Sequence, residues 1–188
     1  MSTKKNILKR GFKAEAERIS EQLRIELNVP IYDELCAFKL AKYLGVEIFI
    51  PRELGCSGHE EKKLLLESGW SAFTSNKEGQ YFIIHNNSHS PKRQQSNLMH
   101  ELAHIIRKHE ISEEIKNLPY FMRYYNPEQE AEAEYLGAAL QLPRKGLLYH
   151  LKYGKSTHEI ADHFRASYKM TNFRINNSGL KKQISYWK

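Results

Sequence analysis

The sequence predicts an α+β fold: helices set around a small, mainly antiparallel sheet, with a small helical extension at the C-terminus. Three observations predict it. Apolar residues recur every three or four positions in residues 12–27, further helical patterns stand at 33–44 and 91–109, and 127–140 is rich in strong helix formers behind Pro127. Short β-branched or aromatic runs stand at 46–50, 70–74 and 80–86. A helix, a glycine cap and a short strand over residues 33–50 form a compact α+β entry.

In chain order, Ala16, Ile19, Leu23 and Leu27 give the first amphipathic helix, ended by Asn28-Val29-Pro30. Residues 33–44 form a second, closed by Gly45 as its C-cap. Val46 to Ile50 alternate as a strand stopped by Pro51. Gly55, Ser57 and Gly58 mark a turn, and 60–67 fits a short helix. Residues 70–74 and 80–86 read as paired strands joined by a turn over 75–79, either of them a candidate edge for an extended peptide. A helix over 91–109 follows, then a polar, aromatic stretch, 110–126, holding Tyr120, Phe121, Tyr124 and Tyr125 and read as a packed connection ahead of the alternative, a loop over the functional site. Pro127 opens a further helix whose C-terminal half is small and apolar.

With 188 residues, 40% of them hydrophobic and 27% charged, the chain suits one domain with a small appendage. No apolar run approaches the roughly 18 residues of a membrane span, and the basic N-terminus lacks a signal-peptide core. Two cysteines, Cys36 and Cys56, lack metal-type spacing and make a disulfide framework implausible, so the compartment reads as cytoplasmic. The net charge of +7 is spread in small clusters. That fits a solvated basic surface at least as well as a nucleic-acid footprint.

The chain centres on His100-Glu101-Leu102-Ala103-His104. On a helix, positions four apart lie about 40° apart, so both imidazoles reach one metal ion while Leu98, Leu102, Ile105 and Ile106 face a core. Glu101, about 100° from His100, suits a water rather than the ion. Catalytic zinc takes three protein ligands and keeps one position open, acidifies water and polarises a carbonyl. A neighbouring carboxylate, here Glu101, then shuttles the proton. The metzincin variant needs a glycine where Arg107 stands and a third histidine where Glu110 stands, so it is excluded. His109, about 180° from His100 on a continued helix, is expected to point away. The third ligand is therefore sought on the helix from Pro127. Glu132 is the first choice, beside the face of Ala133, Leu136, Gly137, Ala138 and Leu140, and Glu128 is its competitor. Glu130 and Glu134, about 160° from Glu132, rank below both.

Four segments carry a resemblance. They are Ser71-Ala72-Phe73-Thr74, the run His85-Asn86 to His89-Ser90-Pro91 and on to Arg93-Gln94, the His100–His104 motif, and residues 130–144. Together they resemble the ImmA/IrrE family of zinc metallopeptidases, over about residues 12–179. The resemblance implies a zincin-like metallopeptidase core over 1–145, an extension over 146–188, zinc held by His100, His104 and Glu132, and Glu101 as the catalytic base. It also implies a protein substrate, a helix-turn-helix repressor of a mobile element or stress response. Departures from the family pattern, Glu134 for Asp or Asn and Gln141 for Leu, touch no expected ligand. No room is left before Phe12 for a fused DNA-binding domain.

The extension supports a second reading. Residues 156–164 and 167–175 read as helix, turn, helix, capped at Ser156 or Thr157. Tyr168, Lys169, Asn172 and Arg174 are then candidates for a DNA groove, and the alternative is a packing appendage. A DNA-binding regulator or sensor with a structural zinc is the competing function. His150, His158 and His163 lack metal spacing and are expected at the surface.

Overall fold

The computed structural model describes residues 7–67, 69–109, 126–180 and 183. Its elements run α1 (Phe12–Glu26), α2 (Ala37–Tyr43), β1 (Glu47–Phe49), a 3-10 turn (Pro51–Leu54), α3 (Gly58–Glu67), β2 (Ala72–Lys77) and β3 (Gln80–His85). They continue with α4 (Pro91–Ile106), α5 (Pro127–Gln141), α6 (Arg144–Lys152), α7 (Thr157–His163) and α8 (Tyr168–Asn177). This is the mixed α+β architecture that the periodicities predict. The expected connection over 110–125, with its four aromatic residues, lies outside the described residues. No helix among the described residues is long and apolar enough to cross a membrane.

The sheet has the order β1-β3-β2. β2 and β3 pair antiparallel from Ala72 opposite His85 to Lys77 opposite Gln80. β1 pairs parallel with β3, from Glu47 opposite Phe82 to Phe49 opposite Ile84. The turn is shorter than the sequence suggests, and β2 runs on through Lys77. Glu78 and Gly79 both take positive φ, 53° and 86°, the two-residue hairpin geometry whose twist matches its strands. Asn76 Oδ1 accepts from the Gly79 N–H at 2.9 Å and locks it. β2 is left at one side of the sheet, paired on one edge only among the described residues.

α4 packs on both of these strands, on α2 and on α5. Its Leu98, Met99, Leu102 and Ala103 are fully buried, as are Ala133, Leu136, Ala139 and Leu140 of α5. α1 covers the other side of α5. Buried polar side chains fix this stack. Ser20 Oγ donates to Ala139 O at 2.8 Å, and Arg24 Nη2 to Leu140 O at 2.9 Å. Both satisfy carbonyls in the last turn of α5, which have no partner within the helix. Arg24 Nη1 also donates to Asp33 O at 2.7 Å, and burial pulls its pKa down to about 10. Gln95 ties α4 to the start of α2 by donating to Leu35 O at 2.7 Å and accepting from the Ala37 N–H at 3.0 Å.

A second apolar cluster joins Leu142, Leu147, Ile160, Phe164, Ala166, Ile175 and Leu180. Ser156 caps α7 with a full capping box, as its sequence predicts. Arg174 is not available to a DNA groove, because it is 3% exposed and donates to Leu142 O at 2.8 Å and to Glu17 at 2.6 Å. With Gln141, which donates to Arg165 O at 2.8 Å, it fastens α8 and the α7–α8 turn to the core. His150 is buried, contrary to expectation, and its Nε2 lies 2.8 Å from Tyr32 O. His158 and His163 are exposed, as expected.

Arg24 gives a direct test of this bracing. Arg24→Leu removes the donor from the buried Leu140 carbonyl, which costs about 1–3 kcal/mol, and from the half-buried Asp33 carbonyl, which adds less. Urea unfolding is expected to show a loss of that order with an unchanged slope.

Candidate metal centre

α4 opens at Ser90 with Pro91 in its first turn and carries His100, Glu101 and His104 toward its C-terminal end, His104 in the last turn. α5 opens at Asn126, whose side chain accepts from the backbone N–H groups of Glu128 and Gln129. The two helices lie antiparallel and meet at Gly137. A Cβ built there would stand 3.0 Å from Met99 O and 3.1 Å from His100 Cα and N. A side chain here would have to push the two backbones apart by a few tenths of an ångström, and glycine lets them stand this close without that shift. Position 130 is seven residues before Gly137, about 20° from it around the helix, and so shares the contacting face.

The result is a convergence of three side chains. Glu130 Oε2 lies 3.3 Å from His100 Nε2, and Glu130 Oε1 lies 3.5 Å from His104 Nε2. The two Nε2 atoms are 3.1 Å apart. Among the described residues, His100, His104 and Glu130 form the group that can hold a metal ion. The spacing fits the chemistry, since ligand atoms about 2.0–2.1 Å from a tetrahedral zinc stand about 3.3 Å from one another.

The sequence reading placed Glu132 here, and the structure brings Glu130 instead. Glu132 turns to the other side of α5, is 8% exposed, and lies 3.1 Å from Arg107 Nε and 3.3 Å from His109 Nε2. Glu128 is exposed at the helix start, and Glu134 lines the neighbouring cavity. The reason is packing. α5 is buried against α1 on one side and α4 on the other, so an apolar face alone does not show which side meets the histidines. The signal that does was in the sequence: Gly137, with a carboxylate two turns before it.

His109 also departs from expectation. The helix stops at Ile106, and Lys108 takes a left-handed φ of 53°. The His109 N–H bonds back to His104 O and the Lys108 N–H to Ile105 O, both at 3.0 Å, the paired closure of a Schellman motif. This folds the His109 ring against His104 rather than away from it, with ring centroids 5.0 Å apart.

Glu101 is 3% exposed and accepts from Thr74 Oγ1 of β2 at 2.8 Å. The sheet thus holds the carboxylate against a cavity of about 830 Å³, lined by His100 and Glu101 together with Asn97, Ala138, Met170 and Phe173. Burial, then the neighbouring His100, pushes the His104 pKa down to about 4, with Glu101 and Glu130 opposing. The imidazole is therefore neutral at pH 7, the form a metal requires. Burial also lowers His109, against the raising effect of Glu132.

The Peptidase_M78 family, described as the IrrE N-terminal-like domain, matches residues 41–176. No curated protein gives a significant match.

Two outcomes test this geometry. Gly137→Ala gains helix propensity worth about 1 kcal/mol but forces two backbones apart, a strain of about 1–3 kcal/mol. A net loss of stability in urea, together with weaker metal binding, is expected. The second concerns pH. His104 titrates lower when folded (about 4) than when unfolded (about 6.5), so between those values the unfolded chain binds the extra proton. Melting temperatures of the metal-free chain are expected to fall as pH is lowered from 6.5 to 4, and to fall less in His104→Phe.

Proposed function

The chain belongs to the Peptidase_M78 (IrrE N-terminal-like) family of metallopeptidases, and on that premise we propose that it is a zinc-dependent endopeptidase that hydrolyses a peptide bond in a regulatory protein. The observation that carries the reading is the meeting of His100, His104 and Glu130 beside a buried Glu101. His100 Nε2, His104 Nε2 and the Glu130 carboxylate would hold the ion. Two imidazoles and one carboxylate are the ligand types of catalytic zinc sites, whereas all-oxygen sites suit magnesium or calcium. When bound, such an ion acidifies water and polarises the scissile carbonyl.

The remaining work falls to the chain's own groups. Glu101 takes a proton from the attacking water and delivers it to the leaving amine as the C–N bond breaks. The Thr74 hydroxyl, donating to Glu101 Oε2, fixes the plane of that carboxylate. The outer edge of β2 can pair with an extended substrate segment, which sets its carbonyl over His100 and Glu101. The adjoining cavity, with Met170 and Phe173 on one wall, takes an apolar side chain next to the scissile bond.

The resemblance to ImmA/IrrE proteins suggests a helix-turn-helix repressor as substrate and the cytoplasm as the place of action. DNA contact by the extension has less support, since Arg174 is engaged inside the protein.

Purified wild type is expected to carry about one zinc per chain, lost in His104→Ala and Glu130→Ala and kept in Glu128→Ala and Glu101→Gln. A random decapeptide library read by mass spectrometry is expected to be cleaved by zinc-loaded wild type and about 10²–10⁴-fold more slowly by Glu101→Gln at equal zinc content. Mapping new protein N-termini in cells making wild type or Glu101→Gln then identifies the substrate. Full regulatory function in Glu101→Gln cells, with no cleavage by either protein, would instead mark a regulator with a structural metal.

A further inference from the structure

We propose that His109 and Glu132 are positioning residues that aim His104 at the metal through an unbroken chain of directed hydrogen bonds. The proposal rests on the reading above, in which His104 binds the ion through Nε2.

The chain begins at a group whose direction is fixed. An ionised carboxylate only accepts, and an arginine only donates. Arg107 Nε donates to Glu132 Oε2 at 3.1 Å, and Arg107 Nη1 donates to Glu15 at 2.6 Å. Arg107 therefore tethers Glu132, whose Oε2 keeps a second lone pair for another donor. His109 Nε2 lies 3.3 Å from the same Oε2, so it carries the proton and donates. A neutral imidazole has one donor and one acceptor nitrogen, so His109 Nδ1 is then the acceptor. His104 Nδ1 lies 3.0 Å from it and must be the donor. That leaves His104 Nε2 without a proton, its lone pair turned toward His100 Nε2 and the Glu130 carboxylate. Each bond in the series determines the next, and the last determines which nitrogen of His104 is free to bind.

The usual partner for the second nitrogen of a metal-bound histidine is a carboxylate, a carbonyl or a water in direct contact. Here a second imidazole is interposed, and the carboxylate stands behind it. The closure of α4 makes this possible: the left-handed Lys108 turns His109 back over the last turn, onto His104. His109 and Glu132 are each only 8% exposed, so water competes weakly for these bonds. Glu132 thus gains a role in the site from the far side of α5.

Zinc affinity decides the matter, measured on the full chain by competition with a chelating dye. His109→Phe and Glu132→Gln are expected to bind zinc about 10- to 100-fold more weakly than wild type. His109→Gln is expected to restore most of the loss, because its amide can accept from His104 and donate to Glu132. A purely structural role gives equal loss in His109→Gln and His109→Phe. Nitrogen-15 imidazole spectra of zinc-loaded wild type need no variant to fold, and are expected to show His104 protonated at Nδ1 and His109 at Nε2. Wild-type affinity in His109→Phe, equal loss in the two His109 variants, or protonation at the opposite nitrogens overturns the relay. Failure of the underlying metal site looks different: wild type binds no zinc, or His104→Ala binds it as tightly as wild type.

Discussion

The close contact of α4 and α5 at Gly137 sets the distance on which the site depends. Two antiparallel helices with ordinary side chains between them keep their axes about 8–10 Å apart. Removing one Cβ at the crossing brings the α5 backbone onto Met99 O and the His100 backbone. The carboxylate of Glu130 then falls within 3.5 Å of both imidazoles.

Much of the surrounding structure keeps that contact from relaxing. Ser20 and Arg24 hold the C-terminal turn of α5 through its carbonyls, and Asn126 caps its start. Gln95 ties α4 to α2, and Thr74 ties Glu101 to the sheet. The C-terminal helices contribute from outside, with Arg174 and Gln141 fastening α8 and the α7–α8 turn beside the cavity that opens onto His100. Of the residues that read as a DNA surface in isolation, Arg174 both lines that cavity and anchors α8.

Several features of the site were legible in the sequence because they are local. Helical periodicity puts His100 and His104 on one face, and that needs no knowledge of the fold. The hairpin, the caps at Ser156 and Gly45, and the helices α1, α4 and α5 are likewise set by spacing and by backbone preferences over a few residues. Glu132 and His109 stand where ideal-helix angles do not put them for one shared reason, since neighbouring segments and the end of α4 set their directions. The choice between Glu130 and Glu132 depends on which flank of a doubly buried helix meets α4. The direction of His109 depends on where α4 ends.

The sequence alone determined the α+β class, the histidine pair, the glutamate beside it and the acidic helix that completes the group. These follow from angles per residue and from the chemistry of side chains. Only the tertiary structure decided which glutamate joins the pair, that His109 folds back onto His104, and that Arg174 faces inward. The first and last are set by packing between segments far apart in the chain, as in the pair Glu17 with Arg174, and the direction of His109 by the closure of α4 at Lys108. Burial against a specific neighbour, which periodicity does not encode, selects among faces that the sequence leaves equivalent.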